Sequence, residues 1–346
     1  MIYPLRLFNY SIYLFLCLCT LGLSDDITFS GFGSTGYIIY NRSIVKGFAN
    51  ESFYEGKLQA DIKINKDIEG QLDFRGHSAD RVVELREFSV KLKHYTYFKF
   101  KIGNIKLPFG YEQLTNRELL PTIERSNLHE QISNLGYGGR SFGLMTYYKY
   151  SEKRADFPFS YYMNIYRDNS LRGGLVARGA WHTGNLIFAL NYQYQRLGGN
   201  NTLSSNGLAS DIVLVTEKAE FMAAMVYFLD PNVSLQHRLQ NNEGTNPEKQ
   251  EEYIYGSGLK FRASWRFDVD TKMIHMIEPL YLFSVYFPDM DNSDGHELQH
   301  LIGVNFYFSK KARFRLQGDL RYDKTPFSDA YNIQASRFTV DVQIRF

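Results

Sequence analysis

Cysteine is nearly missing from this chain of 346 residues: the two present are Cys17 and Cys19. Both fall within residues 1–24, which read as a secretory leader. Arg6 is its positive start, Leu7 to Leu23 its apolar core, and Gly22-Leu23-Ser24 its small-residue end before Asp25-Asp26. A mature chain of residues 25–346 then has no thiol, which excludes disulfides, thiolate nucleophiles and zinc–thiolate sites. Long apolar runs are lacking too. After the leader none approaches the roughly 18 residues a spanning helix requires, and no helical stripe of any length appears. Nor is one sign of charge in excess: 39 Lys and Arg stand against 37 Asp and Glu, a balance that calls for no nucleic acid.

Aromatic residues, by contrast, are abundant. The 26 Tyr and 27 Phe exceed what a soluble core needs, and girdles at the two edges of a membrane band would use them. The last eleven residues show how the chain is patterned. Phe338, Val340, Val342, Ile344 and Phe346 alternate with Arg337, Thr339, Asp341, Gln343 and Arg345, which places the two sets on opposite faces of a strand. A strand ending on an aromatic must be paired, and inside a membrane that means closing a barrel. It resembles the C-terminal signal of bacterial outer-membrane barrels, whose assembly machinery reads a final Phe.

From Ile27 onward about sixteen such stretches are the length of a tilted membrane strand. They lie near 27–40, 53–65, 67–77, 82–95, 97–105, 140–150, 157–167, 174–182, 184–196, 209–216, 218–228, 255–267, 274–287, 297–308, 311–323 and 335–346. Those at 209–228 and 274–287 are apolar on both faces, so their registers stay open. Links after even-numbered strands are short, as at Thr183 and Ser309–Lys310. Links after odd-numbered strands tend to be long, as at Asn41–Ser52, Asn104–Gly139 and Leu229–Tyr253. The expected fold is all-β: a transmembrane antiparallel β-barrel with long outer loops and short periplasmic turns. The longest link, Asn104–Gly139, mixes Arg117 and Arg125 with Glu112, Glu118, Glu124 and Glu130, and is expected to fold into a wet lumen and narrow it.

At this link the sequence resembles a known family. Lys101-Ile102-Gly103-Asn104-Ile105-Lys106-Leu107-Pro108-Phe109-Gly110-Tyr111-Glu112, then Glu124-Arg125-Ser126, then Gly138-Gly139-Arg140-Ser141-Phe142-Gly143 look like the central signature of the phosphate-selective porin O and P family. The match covers roughly residues 82–150. The resemblance implies a trimeric sixteen-stranded barrel whose arginine-rich, anion-conducting lumen is narrowed by inward loops. By position, Lys106 falls in the family's strand-to-loop element, and Arg125 and Arg140 match its charged positions. The family's phosphate-binding ladder cannot be placed residue by residue.

The alternation tests the charge preference separately. With apolar faces toward lipid, the opposite faces carry Lys57, Lys63, Arg75, Lys91, Lys93, Lys99, Lys101, Lys260, Arg262, Arg266, Arg313, Arg315, Arg321, Arg337 and Arg345 inward. Asp61, Asp73, Glu87, Asp268, Asp319 and Asp341 share those faces. A lumen with this excess favours anions, because low-dielectric walls focus the field. The expected anion path runs by Lys91, Lys93, Lys99, Lys101, Lys106, Arg117, Arg125, Arg140, Lys260, Arg262, Arg266, Arg313, Arg315 and Arg337.

Three motifs are set aside. Gly31-Phe32-Gly33-Ser34-Thr35-Gly36 spells a dinucleotide fingerprint, but Tyr37-Ile38-Ile39-Tyr40 continues as strand where a helix is needed. Asp289–Gly295 imitates a calcium loop with its glycine one place late. His296 and His300 share a strand face without a third ligand nearby. The expectation is a bacterial outer-membrane porin, not an enzyme, giving passive diffusion to small hydrophilic solutes. It prefers anions, phosphate being one candidate, and needs no cofactor or metal. Its partners are outer-membrane lipids, small anionic solutes, further copies of itself in a homotrimer, and the barrel-assembly machinery. A plugged structural or adhesive barrel, a secreted sugar-binding β protein, and a barrel hydrolase are the other readings.

Overall fold

The computed structural model describes residues 26–40, 50–78, 82–152, 157–167, 173–196, 203–231, 253–269, 271–291, 295–324 and 336–346. Residues 1–24, read above as a leader, with both cysteines, the link at 232–252 and part of the Asp289–Gly295 motif lie outside these residues.

The strands, in chain order, are β1 (Ile27–Tyr40), β2 (Glu51–Lys63), β3 (Ile68–His77), β4 (Val82–Leu92), β5 (Lys99–Lys106), β6 (Arg140–Tyr148), β7 (Phe159–Arg167), β8 (Gly173–Thr183) and β9 (Leu186–Arg196). They continue with β10 (Ser204–Val215), β11 (Ala219–Pro231), β12 (Tyr253–Trp265), β13 (Phe267–Asp268), β14 (Met276–Phe287), β15 (His296–Tyr307), β16 (Ala312–Lys324) and β17 (Arg337–Arg345). β13 continues β12 past Arg266, and both pair with β14, so the wall has sixteen staves. Each stave is antiparallel to its chain neighbours. The ring closes where β1 meets β17, from Phe32↔Arg345 to Tyr40↔Arg337. Gly31 and Phe346 then exchange backbone hydrogen bonds of 3.3 and 3.1 Å. The final aromatic thus seals the seam.

Closure leaves no free edge, which is how a β-structure satisfies its backbone in lipid. The outward set is apolar and exposed, for instance Phe188, Leu190, Leu208, Met225, Leu259 and Ile302, and its inward neighbours are polar or buried. The sixteen stretches seen in the sequence all become strands, with ends shifted by a few residues. The largest shift is in β10, which starts at Ser204, so its preceding link is shorter than expected. Gly31–Gly36 belongs to β1, as its continuation into Tyr40 required. His300 pairs with the Tyr281 hydroxyl at 2.8 Å, and no metal cluster occurs among the described residues.

The two open registers also resolve. Ala209 and Val213 of β10, Val226 and Phe228 of β11, and Leu282 and Tyr286 of β14 all point inward and are buried. Ala209, Val226, Phe228 and Tyr286 are apolar on that face because part of the 107–139 link packs there, while Leu282 packs with Leu280 and Leu301 of the wall. Leu107, Phe109, Leu128, Ile132, Leu135 and Tyr137 of the link form one core with Tyr166, Val176, Ala209, Val226, Phe228, Ile254 and Tyr286 of the wall. Each large apolar side chain so buried contributes roughly 1.5–3 kcal/mol.

Candidate functional site: a basic constriction beside an inward loop

The loop between β5 and β6 contains two short α-helices, α1 (Tyr111–Leu114) and α2 (Asn127–Asn134), with a 3-10 turn at Arg117–Leu119 between them. Ser126 caps α2 by accepting from the His129 backbone N–H. Long-range bonds stitch the loop across the barrel. The Gly110 and Tyr111 backbone N–H groups donate to Asn191 and Asp211 at 3.0 Å, and Gly138 N–H donates to Gln193 at 3.0 Å. On the other side Ile123 N–H reaches Gln317 at 2.9 Å, Asn127 N–H reaches Gln299 at 2.8 Å, and Arg315 donates to the Thr122 carbonyl at 3.1 Å. A loop tied to β9, β10, β15 and β16 is a fixed part of the lumen, which confirms the expected inward fold.

One carboxylate clips the loop to itself and to the wall. Glu112 is fully buried and accepts from Ser126 N–H at 2.8 Å, Ser126 Oγ at 2.7 Å and Lys260 Nζ at 2.6 Å. Burial alone would raise its pKa, but Lys260, and then His129 and Arg262, hold it far below the usual carboxylate range. Burial drives His129 the other way, down to about 3, so this imidazole is neutral.

The loop's core fills the β7–β14 sector and leaves a charged cavity toward β2–β6. There Lys57, Arg75, Arg86, Lys106, Arg117, Arg125 and Arg140 line one cavity together with Phe32, Asn116, Asp73 and Glu118. Lys57 bridges Glu118 at 3.0 Å and Asp73 at 3.9 Å, while Arg140 lies 3.8 Å from Asp73. Glu55 stands behind, paired with Arg75 and 3.4 Å from Arg117, and Glu84 is 3.9 Å from Arg86. Lys106 donates to Asn116 at 3.0 Å rather than to a carboxylate. Even with all four acids counted, the seven basic residues outnumber them. Burial lowers Arg125 to about 10, which leaves it charged at neutral pH.

Two backbone irregularities assemble this cluster. In the β3–β4 pairing the register shifts between Asp73 and Phe74 of β3, so Glu87 faces Asp73 while Leu85 faces Phe74. Arg86 is the extra residue of that bulge and points into the cavity. The second irregularity is at Gly103, whose φ of 135° is open to glycine and strained for other residues. The β4–β5 ladder runs only from Leu92↔Phe100 to Phe88↔Asn104, and Asn104 Nδ2 donates to the Arg86 carbonyl at 2.9 Å. Beyond it β5 and β6 leave β4, and Lys106 and Arg140 line the cavity although they share the strand parity of the exposed Ile102 and Phe142.

The sequence-predicted residues thus divide. Lys106, Arg117, Arg125 and Arg140 meet in the constriction. Lys91 and Lys93 pair with Glu69, Lys101 pairs with Glu87, and Lys99 is half-buried at the lower end of β5. Arg266 lies 3.1 Å from Glu278, and Arg337 pairs with Glu124 of the loop. Lys260, Arg262, Arg313 and Arg315 face inward but are at most 4% exposed, bound to Glu112, Glu220, the Glu118 carbonyl and Asp341 respectively. They anchor the loop and the wall. Arg86 was missed, and so were the inward acids Glu55, Glu69, Asp211, Glu220 and Glu278. The shift of the apolar phase in β4, from Val83 and Leu85 to Phe88, Val90 and Leu92, was the available signal for Arg86.

Residues 54–203 match the family model described as phosphate-selective porin O and P. No sequence among the curated proteins matches the chain. Among solved structures the fold resembles the outer membrane channel DcaP of Acinetobacter baumannii at 12% identity and a TM-score of 0.63, covering 93% of this chain and 97% of that one. It also resembles the trimer form of OmpT, an outer membrane protein of Vibrio cholerae, at 12% identity and a TM-score of 0.57, with 92% and 99% covered. An anion-selective porin from Comamonas acidovorans aligns at 12% identity and a TM-score of 0.56, with 92% and 98% covered.

Proposed function

We propose that this porin of the bacterial outer membrane, a barrel channel for solute diffusion whose residues 54–203 match the phosphate-selective porin O and P family, passes small anions more readily than cations. The observation that carries the reading is the constriction: seven lysines and arginines against Asp73 and Glu118 on one cavity. A narrow aqueous passage between low-dielectric walls concentrates the field of that excess, lowering the energy of an anion and raising that of a cation. Arginine forks can hold phosphate or carboxylate bidentately, while the interleaved acids weaken the hold enough for release. The solutes are small hydrophilic anions, with inorganic phosphate among them. The anion-selective Comamonas porin and the trimeric OmpT show barrels of this shape in such roles, and we extend the homotrimer to this chain.

Planar-bilayer recording tests the reading. In a KCl gradient the reversal potential takes the sign of chloride permeation, and added phosphate lowers the chloride current if it competes for the constriction. A reversal potential of the cation sign overturns it, and a barrel without steady conductance is a plugged one.

A further inference from the structure

The outer wall carries a second charged feature, remote from the passage. Arg167 of β7, Gly173 of β8 and Arg196 of β9 form one row across three strands, Arg167↔Gly173↔Arg196, at the loop end of the barrel. They share the strand parity of Ile165 and Leu190, which are 66% and 72% exposed, so the row faces lipid. Both arginines are exposed, and neither has a carboxylate partner among the described residues. Gly173 puts no side chain between them, and two strand spacings separate their backbones by about 10 Å.

An apolar groove lies on the same face directly below. Ala177 and Gly179 of β8 and Ser210 of β10 are its small floor residues, and Leu190, Tyr192 and Met225 are its walls. Ala177 is four residues from Gly173, about 13 Å down the strand. Within a bilayer such a groove contacts acyl chains, and the row above it sits at headgroup depth. Arginine at that depth reaches phosphate with charge-assisted, bidentate hydrogen bonds, and each adds about 1 kcal/mol of attraction to anionic lipid.

We propose that this face binds a lipid of the outer leaflet whose headgroup is a net-anionic phosphate, that phosphate lying between Arg167 and Arg196 and one acyl chain along the Ala177–Ser210 groove. The charge and the groove call for the two halves of one amphiphile, and their spacing along the strand fits a headgroup above a chain. The site is independent of which solute the lumen passes.

Native mass spectrometry of the intact barrel, released from micelles doped with phosphatidic acid or with phosphatidylcholine of the same chains, tests it. The wild type retains phosphatidic acid in preference, and the R167Q/R196Q variant loses that preference, with retention falling about tenfold. A second variant, S210F, fills the groove and lowers retention with both arginines in place. Unchanged single-channel conductance shows that both variants are folded. Equal retention of the two lipids by the wild type, or retention unaffected by either variant, overturns the proposal. So does dissociation of an oligomer by S210F, which would make this face a contact between copies of the chain.

Discussion

Glu112 on the inward loop and Lys260 on β12 meet at 2.6 Å across the lumen, their side chains 0% and 4% exposed. A carboxylate and an ammonium taken this far from water stabilise the docked loop only as a pair. Removing one leaves the other buried and unpaired, at a cost of about 3–5 kcal/mol. E112Q and K260M are both expected to lower the thermal midpoint of the barrel and to loosen the loop. Single-channel traces would then be noisier and of larger conductance. A double variant, E112L/K260M, should recover part of the stability, because no orphan charge remains.

His129 sets a pH dependence of known sign. Its folded pKa of about 3 lies below the unfolded value near 6.5, so the unfolded chain binds the extra proton first. Stability is complete above pH ~6.5 and declines as pH falls toward 3. The groups facing His129 are Glu112, Arg125, Lys260 and Lys106, with Ser133 Oγ 3.4 Å away. Glu112 has the same sign, but its loss of stability begins only as pH falls below the unfolded carboxylate value of about 4.3, under the window in which His129 acts. Thermal midpoints measured from pH 7 to 4 should fall in the wild type and stay flatter in H129Q.

Charge in the passage and charge in the wall should behave differently. R86Q and R140Q remove cations from the constriction, and each is expected to lower the anion-over-cation permeability ratio about threefold, the Coulomb effect of one charge a few ångströms from the path in wet surroundings. R262Q removes a charge of equal sign that is 1% exposed and bound to Glu220. It should leave the reversal potential in place and lower stability.

Gly103 makes a sharp backbone prediction. A Cβ there would lie 2.0 Å from the Phe88 carbonyl oxygen, at a φ of 135° that side chains rarely adopt. G103A is expected to cost at least 1–3 kcal/mol and to straighten or unpair the top of β5. Both the folded yield and the anion selectivity should drop, since Lys106 and Arg140 owe their placement to this bend.

The alternation of small and large, polar and apolar, made every strand legible, because a half-lipid, half-water environment imposes a period of two that no helix shares. The inward turn of the loop was legible only as an expectation, since the apolar residues that hold it, Phe109, Leu128 and Tyr137, look in sequence like any buried group. The same residues explain why β10, β11 and β14 read as apolar on both sides. Arg86 escaped because a bulge breaks the period on which the reading relied. Lys260, Arg262, Arg313 and Arg315 were correctly turned inward, yet facing inward did not make them wet. Their partners come from the loop or from acids on neighbouring strands, and pairing across the lumen leaves no local trace in the chain.

The off-centre placement of the loop has an evolutionary corollary. One arc of the cylinder holds the dry packing that fixes the loop, and the facing arc holds the charged groups of the constriction. Exchanges among the charged side chains at the cavity surface leave that packing untouched, so relatives of this chain can diverge in what they pass while conserving their architecture.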